Sequence, residues 1–516
     1  WAETLRIPAT TPPLDAGIAE EAYLSAVMLK VHEDRTFPGA VVASLSVPWG
    51  NSSDSPGGYH LVWTRDAVEA GFGLLAVGQR EDAERLLAYL ASTQRPDGHW
   101  YQNFYPDGRP FWGGVQLDEA GFPILLAAKL LEEGSLTVNR TRDMVRRAAE
   151  YIASSGPGTP QDRWEENAGD SPFTLAVEVA ALVAAAGILG GQDAGYALSL
   201  ADYWNERIEE WCYVSDTQLA RDLGVPGHYI RIAPPGGRGV PERVELQNRA
   251  GKTPAADELI GLEFMALARF GLRRADDPRI LDSLKIADAV LRLDTPSGPL
   301  YHRYRGDGYG EHEDGRPFDG SGVGRAWPLL TGERGHLALA SGEDPAPYLA
   351  TMLRTAGRCG LLPEQAWDAA PMPDRGLFPG KPSGGAMPLL WAHAEYLQLL
   401  AGRELGRPLQ LLRAVKDRYG GQRPAATTWH WRVDASFEAL RRGRALLIED
   451  RLPFVLHYGF DGWQDVRDRE ARSQGLGMFG VRVAADELAS RQEINFTRRY
   501  GERWEGRDRR IGLVEE

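Results

Sequence analysis

Cysteine is almost missing from the chain. Cys212 and Cys359 are the only two in 516 residues, which excludes a disulfide framework and leaves free, buried thiols as the expected state rather than a single bridge. Basic surplus is missing too: 58 Lys and Arg face 72 Asp and Glu, a net charge of −14. That balance argues against a nucleic-acid surface and favours a neutral or cationic partner. There is no His-Glu-x-x-His, no paired Cys-x-x-Cys and no Gly-x-Ser-x-Gly, so zinc hydrolysis and serine-elbow chemistry lack their minimum parts. The most apolar stretch, Leu175 to Leu189, is short, rich in Ala and carries Glu178. It reads as a buried helix, not a membrane span. The chain opens on Trp1 without a basic-then-apolar leader, so a processed start and an extracellular or periplasmic location are expected.

Hydrophobic residues make up 43% and charged residues 25%, the composition of a soluble globular protein. A chain of 516 residues exceeds what one core organises, so two domains are expected. Apolar residues recur every three or four positions through segments 16–32, 65–78, 80–94, 116–133, 140–155, 172–189, 191–213, 255–271, 277–292, 327–341, 345–358 and 386–402, the period of buried helix faces. Ser171-Pro172 places a cap residue and then a proline at the start of one of them. Short connections alternate with long ones rich in Gly, Trp, Asp and Arg. Twelve paired helices with long loops at one end predict an (α/α)6 barrel over residues 1–405. No repeated sequence unit supports a solenoid instead. Gly406, Pro408, Gly420, Gly421 and Pro424 mark a linker over 406–424. Beyond it the period drops to two, in Trp429, Trp431 and Val433, then 454–458, 479–483 and 494–496. These short strands predict a small β-sandwich over 425–516. The expected fold class is mainly α, helices first and strands after.

Three local patterns carry less. Gly475-Leu476-Gly477-Met478-Phe479-Gly480 spells a dinucleotide fingerprint but follows no βαβ unit. Gln94-Arg95-Pro96-Asp97-Gly98-His99-Trp100 fits a Q-x-x-D-G-x-W repeat of terpenoid cyclases, but it occurs once and no Asp-x-Asp-Asp accompanies it. Asp307, Glu311, Glu313 and Asp314 crowd one loop. They are candidates for a structural calcium, although crowded acids are commonly just solvated. No cofactor is required by any other feature.

The tryptophans keep polar company. Trp63 precedes Arg65-Asp66, Trp112 precedes Gln116 and Asp118, and Asp162-Arg163-Trp164-Glu165-Glu166 packs acids, a cation and an indole together. Trp327 follows Arg325, and Glu364 lies near Trp367. A sugar ring asks for this mixture: its C–H face stacks on an aromatic ring, while its hydroxyls need charged groups in fixed directions. Cleaving a glycosidic bond takes one carboxylic acid to protonate the leaving oxygen and one carboxylate opposite. In an inverting enzyme the pair stands about 6.5–9.5 Å apart, leaving room for water. Glu165 and Glu364 suit the two roles, and these residues alone do not say which is which.

Seven segments complete the picture: GGYHLVWTRDA (57–67), FWGGVQLDEAGFP (111–123), RWEENAGDSPFTLAVEVA (163–180), HRYRGDGYGE (302–311), GRAWPLLTGERGH (324–336), LPEQAWD (362–368) and PLLWAHAEY (388–396). In this order they resemble the bacterial glucoamylases of glycoside hydrolase family 15, over about residues 16–402. The resemblance implies exo-attack on non-reducing ends of α-glucans, α-1,4 links preferred, with release of β-glucose by inversion. A glucodextranase or isomaltose-type relative acting on α-1,6 links is the alternative. It further implies Glu165 as general acid and Glu364 as general base. Arg65 and Asp66 would hold the terminal glucose beside Tyr59 and Trp63. Trp112, Gln116, Asp118 and Asp162 would surround the acid, and Glu166 with Arg303 or Arg305 would contact the next sugar; Trp164, Trp327 and Trp367, from the acid-plus-indole pattern, are further candidates for the substrate site. Partners are then glucan substrates, with no nucleic acid and no membrane. One departure stands out: Gly385 occupies the place where the family often has a serine beside the base. The C-terminal region resembles starch-binding modules loosely, through 454–466, Tyr500 and Trp504.

Overall fold

A computed structural model describes residues 1–9, 16–50, 58–234, 243–249 and 251–515. Gly57, at the head of one motif above, and Glu516 lie outside them. The helices are α1 (Ala16–Val31), α2 (Thr64–Ala76), α3 (Arg80–Thr93), α4 (Leu117–Glu132), α5 (Val138–Ser155), α6 (Pro172–Leu189), α7 (Gly191–Cys212), α8 (Gln218–Leu223), α9 (Met265–Arg269), α10 (Pro278–Val290), α11 (Pro328–Ala340), α12 (Ala346–Thr355), α13 (Leu390–Leu405) and α14 (Arg413–Tyr419).

Among the described residues, α2, α4, α6, α9, α11 and α13 pack each on the next and close into an inner ring, and α1, α3, α5, α7, α10 and α12 lie outside it. The chain alternates outer and inner helix, which is the (α/α)6 barrel. Sequence explains the inner positions. In α6 every residue but Gly187 is buried, as a helix apolar on all sides must be. The same helix has the length and hydropathy of a membrane span; here it is the core of the barrel. By contrast α5 is amphipathic, burying Met144, Val145, Ala148, Ala149 and Ile152 and exposing Arg140, Arg142 and Arg146.

Two expectations change in the structure. The long helix expected over 255–271 is a 3-10 turn, Ala256–Glu258, and the short α9. Gly261 forms a β-bridge with Tyr304, and this drawn-out stretch carries Glu263 to the end of the barrel. The segment read as a linker contains α14, whose Arg418 and Tyr419 both bond Asp202 of α7, Tyr419 at 2.9 Å. Beyond it two sheets face each other: strands 464–470, 455–460, 493–500, 509–514 and 439–441 in one, and 472–475, 478–483, 445–450 and 428–431 in the other. Trp431 of one sheet meets Phe496 of the other, ring centroids 4.9 Å apart. The sandwich is seated on α7: Tyr196 donates to Glu449 at 3.0 Å and Ser199 meets His430 at 2.9 Å.

The weak motifs turn out to be structural. Gly475–Gly480 is a hairpin turn, with Leu476 and Gly477 at φ of 46° and 71°. In 94–100, Gln94 donates to the Gly98 carbonyl and Trp100 to that of Leu90, closing the exit of α3. Cys212 is buried, Cys359 is exposed, and both are free thiols.

Candidate active site

The inner helices turn their N-terminal ends to one cavity. Trp63 caps α2, with Arg65 and Asp66 following; Gln116 caps α4 ahead of Asp118. Trp327 caps α11 and Leu389 caps α13, just before Trp391. The loop carrying Glu165 leads into α6. Aligned peptide dipoles make such an end partly positive, which favours acidic side chains there. The cavity holds about 450 Å³ and is walled by Tyr59, Trp63, Arg65, Asp66, Trp112, Trp164, Glu165, Glu166, Arg303, Trp327 and Glu364, among others.

Glu165 sits in a tightly tied loop. Thr159 and Gly169 exchange both backbone hydrogen bonds at 2.9 Å. Asp162 Oδ1 accepts from the backbone of Glu166 and Asn167 at 2.9 and 3.1 Å, and Oδ2 takes Arg231 at 2.5 Å. Gln161 Nε2 donates to the Glu165 carbonyl at 2.8 Å. These ties hold Glu165 at φ 61°, a left-handed conformation that costs a non-glycine residue about 1–3 kcal/mol and persists only where the surroundings over-determine it. Its carboxyl meets Arg65 Nη2 at 3.5 Å, and about a third of the side chain, 34%, is open. The opening is onto the cavity. Desolvation pushes the carboxyl up to about 8, against the pull of Arg65 and Arg303.

Glu364 lies between α12 and α13 and is held differently. Tyr59 donates its hydroxyl to Oε1 at 2.5 Å, and the Ala386 N–H reaches Oε2 at 3.2 Å. The Tyr59 and Tyr309 hydroxyls are themselves 2.5 Å apart. Burial pushes Glu364 up to about 7, with Tyr59, Ala386 and Arg303 pulling it back. So Glu364 has donors that stabilise its anion, whereas Glu165 has a single long ion pair. At Gly385 a Cβ would stand 3.0 Å from Glu364 Oε2, the oxygen that accepts from the Ala386 N–H.

Around the pair, Arg65 Nη1 is clamped by Gln116 and Asp118 at 2.6 and 2.7 Å. Those two stand behind it, outside the cavity wall, as does Asp162. Asp66 faces the cavity, pushed up to about 6 by burial against the pull of Arg65. Arg303 is fixed by Asp307 at 2.7 Å through two nitrogens and reaches Glu166 at 3.2 Å. Arg305 is exposed and not part of the wall. Trp367 is also elsewhere, buried under Arg325 at 4.1 Å. The acids considered for calcium do not converge. Asp307 is engaged by Arg303, Glu311 takes the Gly384 N–H, and Asp314 pairs with Arg316; no cluster of three or more potential ligands occurs among the described residues. The wall also includes Arg163, the cation of the 162–166 cluster, together with Gln102, Gln161, Gln247, Asn248, Tyr309 and Trp391, which the acid-plus-indole pattern did not single out. Tyr309 and Trp391 lie within two of the motif segments; the amides carried no signal.

The family model for glycosyl hydrolases family 15 matches residues 17–401. The chain belongs to this family. A glucoamylase of Clostridium sp. (strain G0005) is 38% identical over 409 residues, 77% of this chain and 55% of the relative. A bacterial glucoamylase solved in complex with acarbose is 37% identical with a TM-score of 0.72, over 81% of this chain and 59% of the other. The chain thus spans little more than half the length of these family 15 relatives. The glucoamylase of Saccharomycopsis fibuligera, 17% identical over 75% of this chain and 95% of its own, shares the fold at a TM-score of 0.52.

Proposed function

We propose that this family 15 chain is an inverting exo-glucohydrolase that releases β-D-glucose from the non-reducing ends of α-glucans, with α-1,4 links preferred. The observation that carries it is one cavity bordered by two glutamates held in opposite ways. Glu165, raised by burial and weakly paired, is the acid: it protonates the glycosidic oxygen as the C1–O bond breaks. Glu364, its anion stabilised by two donors, is the base: it takes a proton from the water that adds to C1 from the other face. Arg65 and Asp66 bind the hydroxyls of the terminal glucose among Trp63, Trp164 and Trp391, while Glu166 and Arg303 meet the next sugar. A walled cavity of about 450 Å³ suits a chain end. Glucose release from maltotriose and isomaltotriose tests the linkage: faster cleavage of maltotriose is expected, and preference for isomaltotriose would assign the chain to the α-1,6 group.

The same proposal gives the sandwich a glucan-docking face. His457 lies 5.5 Å from both Trp463 and Trp504, centroid to centroid, and Trp504 is 47% exposed. An indole open to solvent, Trp504, with the half-buried Trp463 across a polar ring, suits the faces and hydroxyls of successive sugars.

A further inference from the structure

Glu263 is a deeply buried carboxylate that the catalytic account leaves unused. It is 1% exposed, and it sits two residues before α9 on the drawn-out segment that replaced the expected helix. Its Oε1 accepts from Trp164 Nε1 at 2.8 Å and from Arg163 Nε at 3.3 Å. Its Oε2 has no hydrogen-bond partner among the described residues. A carboxylate kept in a core with one oxygen unmatched weakens the fold, so stability alone does not account for it.

The two bonds it makes go to the two residues that precede Glu165. Arg163 is further fixed by Glu333 at 2.7 Å and lies between the rings of Trp164 and Phe173, at 4.5 and 4.4 Å. Its carbonyl takes Arg65 Nη2 at 3.1 Å, and that nitrogen is also the one facing the Glu165 carboxyl. One acceptor oxygen therefore ties the approach to Glu165, the indole beside it and the cation opposite it.

We propose that Glu263 is a positioning residue for the proton donor. By anchoring Arg163 and Trp164 it holds Glu165 in its left-handed backbone conformation, with its carboxyl at the cavity. The inference rests on Glu165 being the general acid. Loss of the anchor lets the strained residue relax, and displacement of a reacting group by about 1 Å costs on the order of 100-fold in rate.

The test uses two substrates that differ in their need for a proton. Maltose must have its leaving oxygen protonated, whereas α-D-glucosyl fluoride loses fluoride with little acid assistance; water supplies the new hydroxyl in both. E263Q keeps an acceptor for Trp164 but loses the charge facing Arg163, and E263A removes both. We expect kcat on maltose to fall about 10-fold in E263Q and about 100-fold in E263A, with kcat on the fluoride within about 3-fold of wild type. Should the alanine chain not fold, the E263Q ratio decides alone. Equal losses on both substrates, or unchanged maltose turnover, would overturn the proposal. E165Q is run beside them. If it spares the fluoride while E263Q does not, positioning fails and the acid stands; if E165Q loses both equally, the acid assignment falls and this inference with it.

Discussion

Replacing Tyr59 with phenylalanine should depress activity most on the acidic side of the pH–rate profile and move its acidic limb to higher pH. The Tyr59 hydroxyl donates to Glu364 Oε1 at 2.5 Å and pulls that carboxyl down from where burial would set it. A hydrogen bond to a charged group contributes about 1.5–3 kcal/mol, and 1.36 kcal/mol corresponds to one pKa unit. Removing it should therefore raise Glu364 by about 1–2 units, starting from about 7. The base must be ionised to work, so activity is lost as pH falls through its pKa, and the acidic limb of kcat/KM moves to higher pH. Glu165, pushed up to about 8, must stay protonated, so with Glu364 raised to its level or above the working pair of forms becomes a minor one at every pH. The optimum falls and shifts upward, and at pH 6 kcat/KM drops by about 10- to 100-fold relative to wild type at the same pH. The assay is kcat/KM for maltose from pH 4 to 10, with Y309F as control, since that variant leaves the Tyr59 bond to Glu364 in place. An acidic limb that stays put, or moves to lower pH, would refute the reasoning.

G385A puts a Cβ 3.0 Å from Glu364 Oε2, so the carboxylate must shift; kcat should fall about tenfold, and unchanged kcat at the optimum would count against the described geometry. E178Q concerns stability. Glu178 is fully buried in α6 with neither oxygen bonded, and burial raises it well above its usual range, so it stays protonated in the fold. The unfolded chain ionises near the ordinary value; wild type therefore loses stability as pH rises above about 4.3, by at most about 1.4 kcal/mol per pH unit. The Tm advantage of E178Q should grow from pH 4 to pH 7, and a pH-independent difference would contradict this. W504A should weaken adsorption to insoluble starch while leaving kcat on maltose unchanged; full adsorption would remove the docking role given to that face.

Helix periodicity carried the fold because the barrel needs it: a helix with three lipid-like faces, such as α6, has only the inner ring to go to. It failed at 255–271, where the apolar spacing of Leu259, Leu262 and Met265 looks helical. There the backbone bridges Gly261 to Tyr304, a long-range pairing with no local signature. Composition hid a helix at 406–424, where the glycines and prolines flank a short helix tied down by Asp202. In the site, Trp, Arg and carboxylates in one loop were legible because sugar chemistry dictates them. Gln161, Gln247 and Asn248 were not, since an amide looks the same on any surface loop until the fold brings it to the cavity. Proximity in sequence also misled: Trp367 lies three residues from Glu364, yet that indole packs under Arg325, while Tyr59, 305 positions away, bonds the carboxylate.

The central claim is that Glu364 delivers water to the face of C1 opposite the bond that Glu165 protonates. Proton NMR of the first glucose formed from maltotriose, followed faster than mutarotation, tests it directly. The account predicts the β-anomer at the outset, decaying toward the equilibrium mixture. α-Glucose appearing first would contradict it.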